Sequence, residues 1–279
     1  MSNYIHDISK SHWMVSNPAR TTRTGMDGKP FRCPFCPGAE ADTPPEVFRT
    51  GGGEVNKPGW EIRVVPNMFP ITEDHEVIIH SPDHDKNVEE LSLEQIENII
   101  KIYINRLNYL KGKGKVYIFS NQSLLSGASL VHSHSQISVI PNEIPTDSLA
   151  VQQVANIVEQ VGEYVSYCPE YSEWAYEVWI KKNQRSNIKY QNFENLDEQA
   201  VVDLAKILQS SLIKLKKIHD QNPHYAKKPF GYNYYILPGD AWYLRIIPRF
   251  MERAGFELST GIMVNSVEAK TAAEELKKV

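Results

Sequence analysis

The segment that most constrains the fold is residues 127–140, in which side chains alternate in character before an apolar run at 137–140. A period of two is typical of a half-buried β-strand, because successive side chains point to opposite faces. The alternation places two imidazoles and an amide on one face, those of His132, His134 and Gln136. A solvated polar strand face is the alternative interpretation. The pattern therefore predicts a strand that carries candidate chemical groups.

Length and charge exclude several classes of function. With 279 residues and a hydrophobic fraction of 41%, the chain can bury a large core as one domain or as two packed halves. A formal net charge of -4 creates no overall field that favours nucleic acid. No apolar run approaches the roughly 18 to 20 residues that span a membrane, and residues 1–20 lack the pattern of a secretory signal. We expect a cytoplasmic protein with neither a nucleic-acid nor a membrane partner.

A Cys-Pro-Phe-Cys turn, Cys33 to Cys36, suggests a metal site. Two thiolates at this spacing can reach one zinc ion, which then needs two further ligands. A thioredoxin-like redox pair is the alternative, but the flanking strand and helix pattern is missing. His84, in a turn just after a strand pattern, is the candidate third ligand, and His132 completes a closed Cys2His2 set of the structural kind.

That ligand set leaves His134 as an imidazole beside the metal site. A neutral imidazole near a phosphate is a suitable nucleophile, since its pKa is already near neutrality. Its second ring nitrogen needs an acceptor that fixes the tautomer, and we expect a backbone carbonyl of the preceding turn to supply it.

Periodicity divides the rest of the chain into strands and helices. Residues 1–30 are expected to be irregular. The expected strands are 60–66, 75–81, 116–120, 176–180, 232–237 and 242–247. The expected helices are one from a Ser92/Gln95 capping box to Leu110, a connector over about 151–165, and one over about 196–217. A last strand and helix follow from Gly255.

The order of elements in the second half repeats that of the first. If the halves are related, Arg245 lies in the segment corresponding to His-Ser-His, and this segment has no imidazole. We therefore expect a reactive half with the zinc site at residues 1–145 and a binding or bracing half, without the His-x-His motif, at 146–279.

Loop arginines offer a further candidate site. Arg20 and Arg23 lie three residues apart, and their forked guanidinium groups can clamp a phosphate. Ordinary solvated surface arginines are the alternative interpretation.

Together these residues resemble the galactose-1-phosphate uridylyltransferases of the histidine-triad superfamily. The shared motifs occur in the family's order and cover most of the chain. They are Asn-Pro-Ala-Arg-Thr-Thr-Arg, Cys-Pro-Phe-Cys, Pro-Asn-Met-Phe-Pro, Ser-Pro-Asp-His, Phe-Ser-Asn, Gly-Ala-Ser with His-Ser-His-Ser-Gln, and Gly-Phe-Glu. The resemblance implies an α+β fold of two histidine-triad-like halves, each an antiparallel sheet with packed helices, related by internal duplication. It also implies a homodimer and one structural zinc.

The resemblance implies that His134 attacks the α-phosphate of a nucleotide sugar and forms a nucleotidyl-histidine. Sugar 1-phosphate leaves, and a phosphorylated acceptor then takes the nucleotide. Gln136 serves as a neutral amide donor to the phosphate where hydrolytic relatives have another histidine. Positioning and charge stabilisation are expected from Arg20, Arg23, Asn121, Ser129 and the Gly127 turn. By resemblance alone, Asn67 and Phe69 lie near the base and Glu257 near sugar hydroxyls.

Departures from the family put the substrate in question more than the chemistry. Some members bind a second metal through paired histidines in the second half, where this chain has Arg245 and Ile247, so we predict no such site. The chain is also shorter than the best-known members. The leading hypothesis is transfer of a nucleoside monophosphate to a sugar 1-phosphate. The alternatives are a phosphorylase that uses inorganic phosphate on an ADP-sugar or a dinucleoside polyphosphate, with Arg245 or Arg249 serving the phosphate, and a zinc-stabilised nucleotide-binding protein without turnover.

Overall fold

A computed structural model describes residues 3–7, 12–18, 20, 32–146, 152–183, 192–239 and 241–279. Within them the chain is α+β. Its strands are β1 (Asn3–Asp7), β2 (His12–Ser16), β3 (Phe48–Gly51), β4 (Trp60–Pro66), β5 (His75–Ile79), β6 (Lys115–Gln122), β7 (His134–Ile140), β8 (Ile157–Val161), β9 (Tyr164–Tyr167), β10 (Val178–Lys182), β11 (Tyr232–Leu237) and β12 (Tyr243–Pro248). Its α-helices are α1 (Leu93–Leu110), α2 (Glu198–Gln221), α3 (Gly255–Thr260) and α4 (Ala269–Leu276).

One antiparallel sheet carries both halves of the chain. Its order is β3-β4-β5-β7-β6-β11-β12-β10-β9-β8, with β6 and β11 paired at the centre. Each half thus contributes antiparallel strands, as expected, but the two sets of five form one continuous sheet, because their inner edges hydrogen-bond to each other. For the strands of this sheet, each half follows the order of three strands, a helix and two strands. The β1–β2 hairpin precedes this series in the first half, and helices α3 and α4 follow it in the second. The division near residue 145 stays a prediction.

Helices α1 and α2 cover one face of the sheet. A common core joins them to alternate residues of the central strands, including Ile118, Ile137, Tyr234 and Ile246. The helix α1 begins at the expected cap, where the side chain of Ser92 accepts from the backbone N–H of Gln95. Since the helices occupy this face, the other face of β7 is the one that can present chemical groups.

Three elements differ from the sequence-based expectation. The helix expected over about 151–165 is wrong, because β8 and β9 form a hairpin around Gly162, whose φ is 54°. The Val and Ile residues there match a helical spacing, yet they are β-branched and favour strands. Residues 1–30 contain the β1–β2 hairpin. From residue 255 onward the structure has helices α3 and α4, so the last strand is also wrong.

Within the described residues, no helix combines the length and apolar character needed to cross a membrane.

Candidate functional site

The two cysteines and two histidines predicted as ligands meet in one cluster. Cys33 and Cys36 come from the turn before β3, His84 follows β5 and His132 precedes β7. Their ligand atoms all lie within 4.8 Å of one another. His132 Nδ1 is 3.7 Å from each sulfur, and His84 Nδ1 is 3.3 Å from Cys36 Sγ. A tetrahedral zinc ion gives sulfur–nitrogen separations of about 3.5 Å, so the cluster fits a Cys2His2 metal site.

The surroundings of the cluster determine the protonation of its ligand atoms. Burial, together with the neighbouring Cys36, raises the pKa of the Cys33 thiol to about 11. A bound cation would offset this preference for the protonated thiol. His132 Nε2 donates to the Ser81 carbonyl at 2.8 Å, since a carbonyl oxygen can only accept. The lone pair of Nδ1 therefore faces the sulfurs.

His134 is the first residue of β7 and has a defined tautomer. Its Nδ1 donates to the carbonyl of His132 at 2.8 Å, as expected from the sequence. In the neutral ring the nucleophilic lone pair therefore belongs to Nε2. Phe35 contacts the ring edge-to-face, with centroids 5.2 Å apart. β7 begins at His134, so His132 lies in the turn before the strand and not on the strand face as predicted.

A cavity of about 450 Å³ lies beside this imidazole. Apolar and polar groups line different parts of it, as is usual for small-molecule sites. The polar lining includes His134, Gln136, Ser129 and Asn67, and the apolar lining includes Phe69. Five residues predicted from the sequence therefore share one cavity.

Gln136 is held by two side chains at the cavity wall. His75 Nε2 lies 3.0 Å from Gln136 Oε1, and Asn67 Nδ2 lies 3.3 Å from the same oxygen. No role is expected for His75 from the sequence. Its partner is 61 positions away in the chain, and no local pattern marks such a contact.

A second buried imidazole, that of His80, lies under the strand that carries His134. Its two ring nitrogens are each 2.9 Å from a serine hydroxyl, those of Ser133 and Ser135. Burial lowers the pKa of His80 well below its ordinary value, and the charges of His134 and His132 lower it further. The serines on either side of His134 are thus tied to one neutral ring. No local pattern in the sequence points to His80.

Two other predicted residues adjoin the cavity. Arg20 donates to the carbonyl of Phe69 at 2.6 Å, close to the cavity lining. Gly127 has a left-handed φ of 81° and comes two residues before Ser129. Arg23, which is predicted to clamp a phosphate together with Arg20, lies outside the described residues.

The remaining predicted residues lie elsewhere. Asn121 Oδ1 accepts from Asn233 Nδ2 at 2.7 Å, at the junction of β6 and β11. Glu257 belongs to α3 and lines a different depression, which it shares with Trp174 and Arg253. Its carboxylate accepts from the backbone N–H of Ala254. The structure does not bring Glu257 into the His134 cavity.

Comparison with known proteins connects this geometry to a family. Residues 69–139, which include β5, β6 and the His-Ser-His-Ser-Gln motif, match the model of the N-terminal domain of galactose-1-phosphate uridyl transferase. An ADP-glucose phosphorylase of Arabidopsis thaliana is 26% identical over 98% of this chain and 92% of that protein. A galactose-1-phosphate uridylyltransferase of Streptomyces lividans is 25% identical over 77% of this chain and 68% of that protein.

The chain is therefore similar to galactose-1-phosphate uridylyltransferases and to an ADP-glucose phosphorylase over half of its length or more. A solved relative has the same architecture over its whole length. The crystal structure of the Arabidopsis thaliana ADP-glucose phosphorylase with bound ADP-glucose is 25% identical, covers 100% of this chain and 99% of that chain, and superposes with a TM-score of 0.73. The fold is therefore shared with a solved phosphorylase, and enzymatic nucleotidyl transfer or phosphorolysis is the chemistry that these relatives support.

Proposed function

We propose that this chain is a nucleotidyltransferase that passes a nucleoside monophosphate from a nucleotide sugar to a phosphorylated acceptor through His134. The observation that carries the proposal is the Nδ1–H bond from His134 to the His132 carbonyl. This bond leaves the nucleophilic lone pair on Nε2, on a ring that lines the 450 Å³ cavity. A neutral imidazole held in this way needs no separate base to attack phosphorus.

The reaction has two in-line steps that balance without an additional proton. In the first, His134 Nε2 forms a bond to the α-phosphorus, and the bond from that phosphorus to the sugar 1-phosphate oxygen breaks. Sugar 1-phosphate leaves as an anion, so no acid is required. In the second, a phosphate oxygen of the acceptor attacks the same phosphorus and releases His134.

Neutral donors around His134 suit this chemistry. The transition state mainly demands positioning and stabilisation of the charge on the non-bridging oxygens. We assign this role to Gln136 and Ser129, and the nucleoside to the part of the cavity near Asn67 and Phe69. Arg20 adjoins that part through its bond to the Phe69 carbonyl.

The acceptor is either a hexose 1-phosphate or inorganic phosphate. The first is the acceptor of a galactose-1-phosphate uridylyltransferase-like reaction and remains our leading assignment from the motifs. The second makes the enzyme a nucleotide phosphorylase. It gains support from the similarity to an ADP-glucose phosphorylase, which spans 98% of this chain. Arg245 is a poor candidate for holding that phosphate, because Glu177 already binds its guanidinium at 2.7 and 2.9 Å.

We assign the Cys2His2 cluster to one structural zinc ion. Cys33, Cys36, His84 and His132 would hold it, and its bonds would tie the turn before β3 to the segments on either side of β5 and β7. Since His132 also offers its carbonyl to His134, the metal site and the nucleophile share one backbone segment.

Two further proposals concern organisation. The common order of three strands, a helix and two strands in the large sheet supports an origin of the two halves by internal duplication. A homodimer and a cytoplasmic location stay predictions.

Labelled nucleotide sugars test the function directly. Wild-type protein incubated with UDP-glucose or ADP-glucose that carries a labelled α-phosphate is expected to form an acid-labile adduct. His134→Ala should reduce the adduct by a factor of about 1,000 or more, as loss of a nucleophile typically does. His224→Ala, at an exposed position in the other half, is the matched control.

Chasing the labelled enzyme with either acceptor identifies the second substrate. Galactose 1-phosphate is expected to release the label as a nucleotide sugar, and inorganic phosphate as a nucleoside diphosphate. An adduct that persists undiminished in His134→Ala contradicts the mechanism. A wild-type protein that binds nucleotide without forming an adduct supports the binding-protein alternative.

A further inference from the structure

We propose that His75 is a positioning residue that fixes the side-chain amide of Gln136 with its NH2 group toward the substrate phosphate. The inference rests on the proposed function, in which Gln136 donates to that phosphate. An amide can be reversed by a half-turn about its last bond, which exchanges a donor for an acceptor. The contacts around Gln136 select one of the two orientations.

The first constraint runs from the backbone through His75. The N–H of Ile71 points at His75 Nδ1 at 2.8 Å. A backbone amide can only donate, so Nδ1 carries the lone pair and Nε2 carries the proton of the neutral ring. That Nε2–H faces Gln136 Oε1 at 3.0 Å. The atom of Gln136 that meets His75 must therefore be the acceptor oxygen.

The second constraint runs from the backbone through Asn67. The N–H of Phe69 donates to Asn67 Oδ1 at 2.8 Å, which fixes the orientation of the Asn67 amide. Its Nδ2 then faces Gln136 Oε1 at 3.3 Å. The nitrogens of His75 and Asn67 are 3.3 Å apart because both converge on this oxygen.

Reversal of the Gln136 amide would place its NH2 group against two N–H donors. The observed orientation avoids this repulsion and turns the NH2 group away from both donors. Gln136 lines the cavity and lies two residues after His134 on β7, so both side chains belong to the same strand face. In the reversed orientation a carbonyl oxygen would meet the anionic phosphate.

His75 makes the stronger contribution of the two donors. Its contact with Gln136 is the shorter one, and its side chain is buried, with Phe119 packed 6.1 Å from its ring centre. A buried ring with one nitrogen committed to a backbone N–H keeps its donor aimed at Gln136 before substrate arrives. Donors that are preorganised in this way stabilise charge in the transition state without having to reorient during the reaction.

Substitutions that differ in one atom test this inference. In His75→Gln an amide NH2 can replace the ring N–H, whereas His75→Glu offers only acceptor oxygens and should reverse the Gln136 amide. We expect the rate of adduct formation at saturating nucleotide sugar to be about 100-fold lower in His75→Glu than in His75→Gln, which is the size of losing one oxyanion donor. His75→Met, without donor or charge, should fall between the two.

The same three substitutions in a Gln136→Ala background separate positioning from general damage. Without the amide, the ratio between the Gln and Glu variants should shrink to about threefold or less. If His75→Gln and His75→Glu form the adduct at equal rates while Gln136 is present, the inference is overturned. A ratio between them that persists in Gln136→Ala overturns it as well. If His75→Glu fails to fold, His75→Met replaces it in the comparison. The loss of rate in His75→Met must then also depend on the presence of Gln136.

Binding of AMP and UMP, measured by calorimetry, separates this inference from the proposed function. The dissociation constant should rise in His75→Glu relative to His75→Gln, and only when Gln136 is present. If wild type forms no adduct but this contrast in binding remains, the transfer function is wrong and the role of His75 stands. If the adduct forms and neither contrast appears, the role of His75 is wrong and the function stands.

Discussion

The two halves of the sheet use corresponding positions for opposite purposes. Phe119 of β6 faces Tyr235 of β11 at the centre of the sheet. Counted outward from this pair, Gln136 is the neighbour of Phe119 and Arg245 is the neighbour of Tyr235. Gln136 and Arg245 therefore occupy matching places on the face of the sheet opposite α1 and α2.

Each of these two residues has a side-chain partner, His75 for Gln136 and Glu177 for Arg245, but the two contacts differ in charge. Gln136 contacts His75 through one neutral hydrogen bond at a cavity wall. Arg245 binds Glu177 through two charged hydrogen bonds, and both side chains are buried. Aromatic packing fills the surrounding space, with Trp179 and Tyr243 stacked at 4.2 Å.

The contrast between the two positions indicates what an open site requires. A neutral amide can lie at a solvent-accessible cavity and turn its donor to a substrate. A buried guanidinium–carboxylate pair satisfies itself and leaves little capacity for a ligand. We therefore propose that the first half is organised for chemistry and the second for stability. Removing each arrangement in turn tests this proposal.

The largest expected effect is the loss of the buried ion pair. Arg245→Met leaves the Glu177 carboxylate buried without its cation, and we expect the free energy of unfolding to fall by about 3 to 5 kcal/mol. Gln136→Met, the matched change in the first half, should cost only about 1 kcal/mol, since water from the cavity can replace the acceptor that His75 and Asn67 lose. Urea unfolding measures both values. Equal costs would contradict the contrast between the halves.

The second effect concerns the metal cluster of the first half. Cys33→Ser combined with Cys36→Ser should reduce bound zinc from about one ion per chain to none. At free zinc of 100 times the dissociation constant, the loss corresponds to about 2.7 kcal/mol of stability. Metal analysis and thermal unfolding with and without a chelator measure the change. Cys168→Ala, in the second half, should retain the metal, and a double variant that still holds one ion would refute the ligand set.

How much of this could be predicted from sequence depends on the range of the interactions. Periodicity within one element was sufficient for β4 and β11, whose bounds match the expected 60–66 and 232–237, and for the start of α1 at its Ser92 cap. The β8–β9 hairpin was missed because its β-branched residues also fit a helical spacing. Local pattern alone did not reveal that Gly162 closes a two-residue turn.

The candidate site shows the same limit. The four ligands could be grouped because cysteine spacing and histidine-bearing turns signal metal binding locally. His75 and His80 act through partners on a neighbouring strand, 61 and 53 to 55 positions away. Cross-strand register is set by the whole sheet, so a single sequence offers no local sign of these contacts.

The third effect is a pH dependence at the junction between the halves. Burial raises the pKa of Glu89, whose carboxylate accepts from Tyr232 of the second half at 3.0 Å. Between the unfolded pKa near 4.5 and the raised folded value, the folded chain holds a proton that the unfolded chain has lost. The free energy of unfolding should therefore fall as pH rises through this window, by about 1.4 kcal/mol for each pKa unit of the shift.

Glu89→Gln should remove this part of the pH dependence, because the amide does not titrate. Denaturant unfolding at a series of pH values measures the slope. Glu94→Gln, at an exposed position in the first turn of α1, should leave it in place. A slope that is the same in wild type and Glu89→Gln would exclude Glu89 as the source.

The smallest effect compares the turns that follow β6 and β11. Counted from the Phe119–Tyr235 pair, Ser123 and Gly239 occupy matching positions, and both have positive φ, 77° and 126°. Glycine adopts such angles without steric cost, whereas serine with φ 77° and ψ 161° is strained by about 1 to 3 kcal/mol. Ser123→Gly should therefore stabilise the chain by about 1 kcal/mol, since greater flexibility of the unfolded chain offsets part of the relief. Gly239→Ser should destabilise it by a similar amount. If the two turns are equivalent, urea unfolding should show changes in the free energy of unfolding with opposite signs for the two variants. If both changes destabilise the chain, the match between the halves ends at the strands.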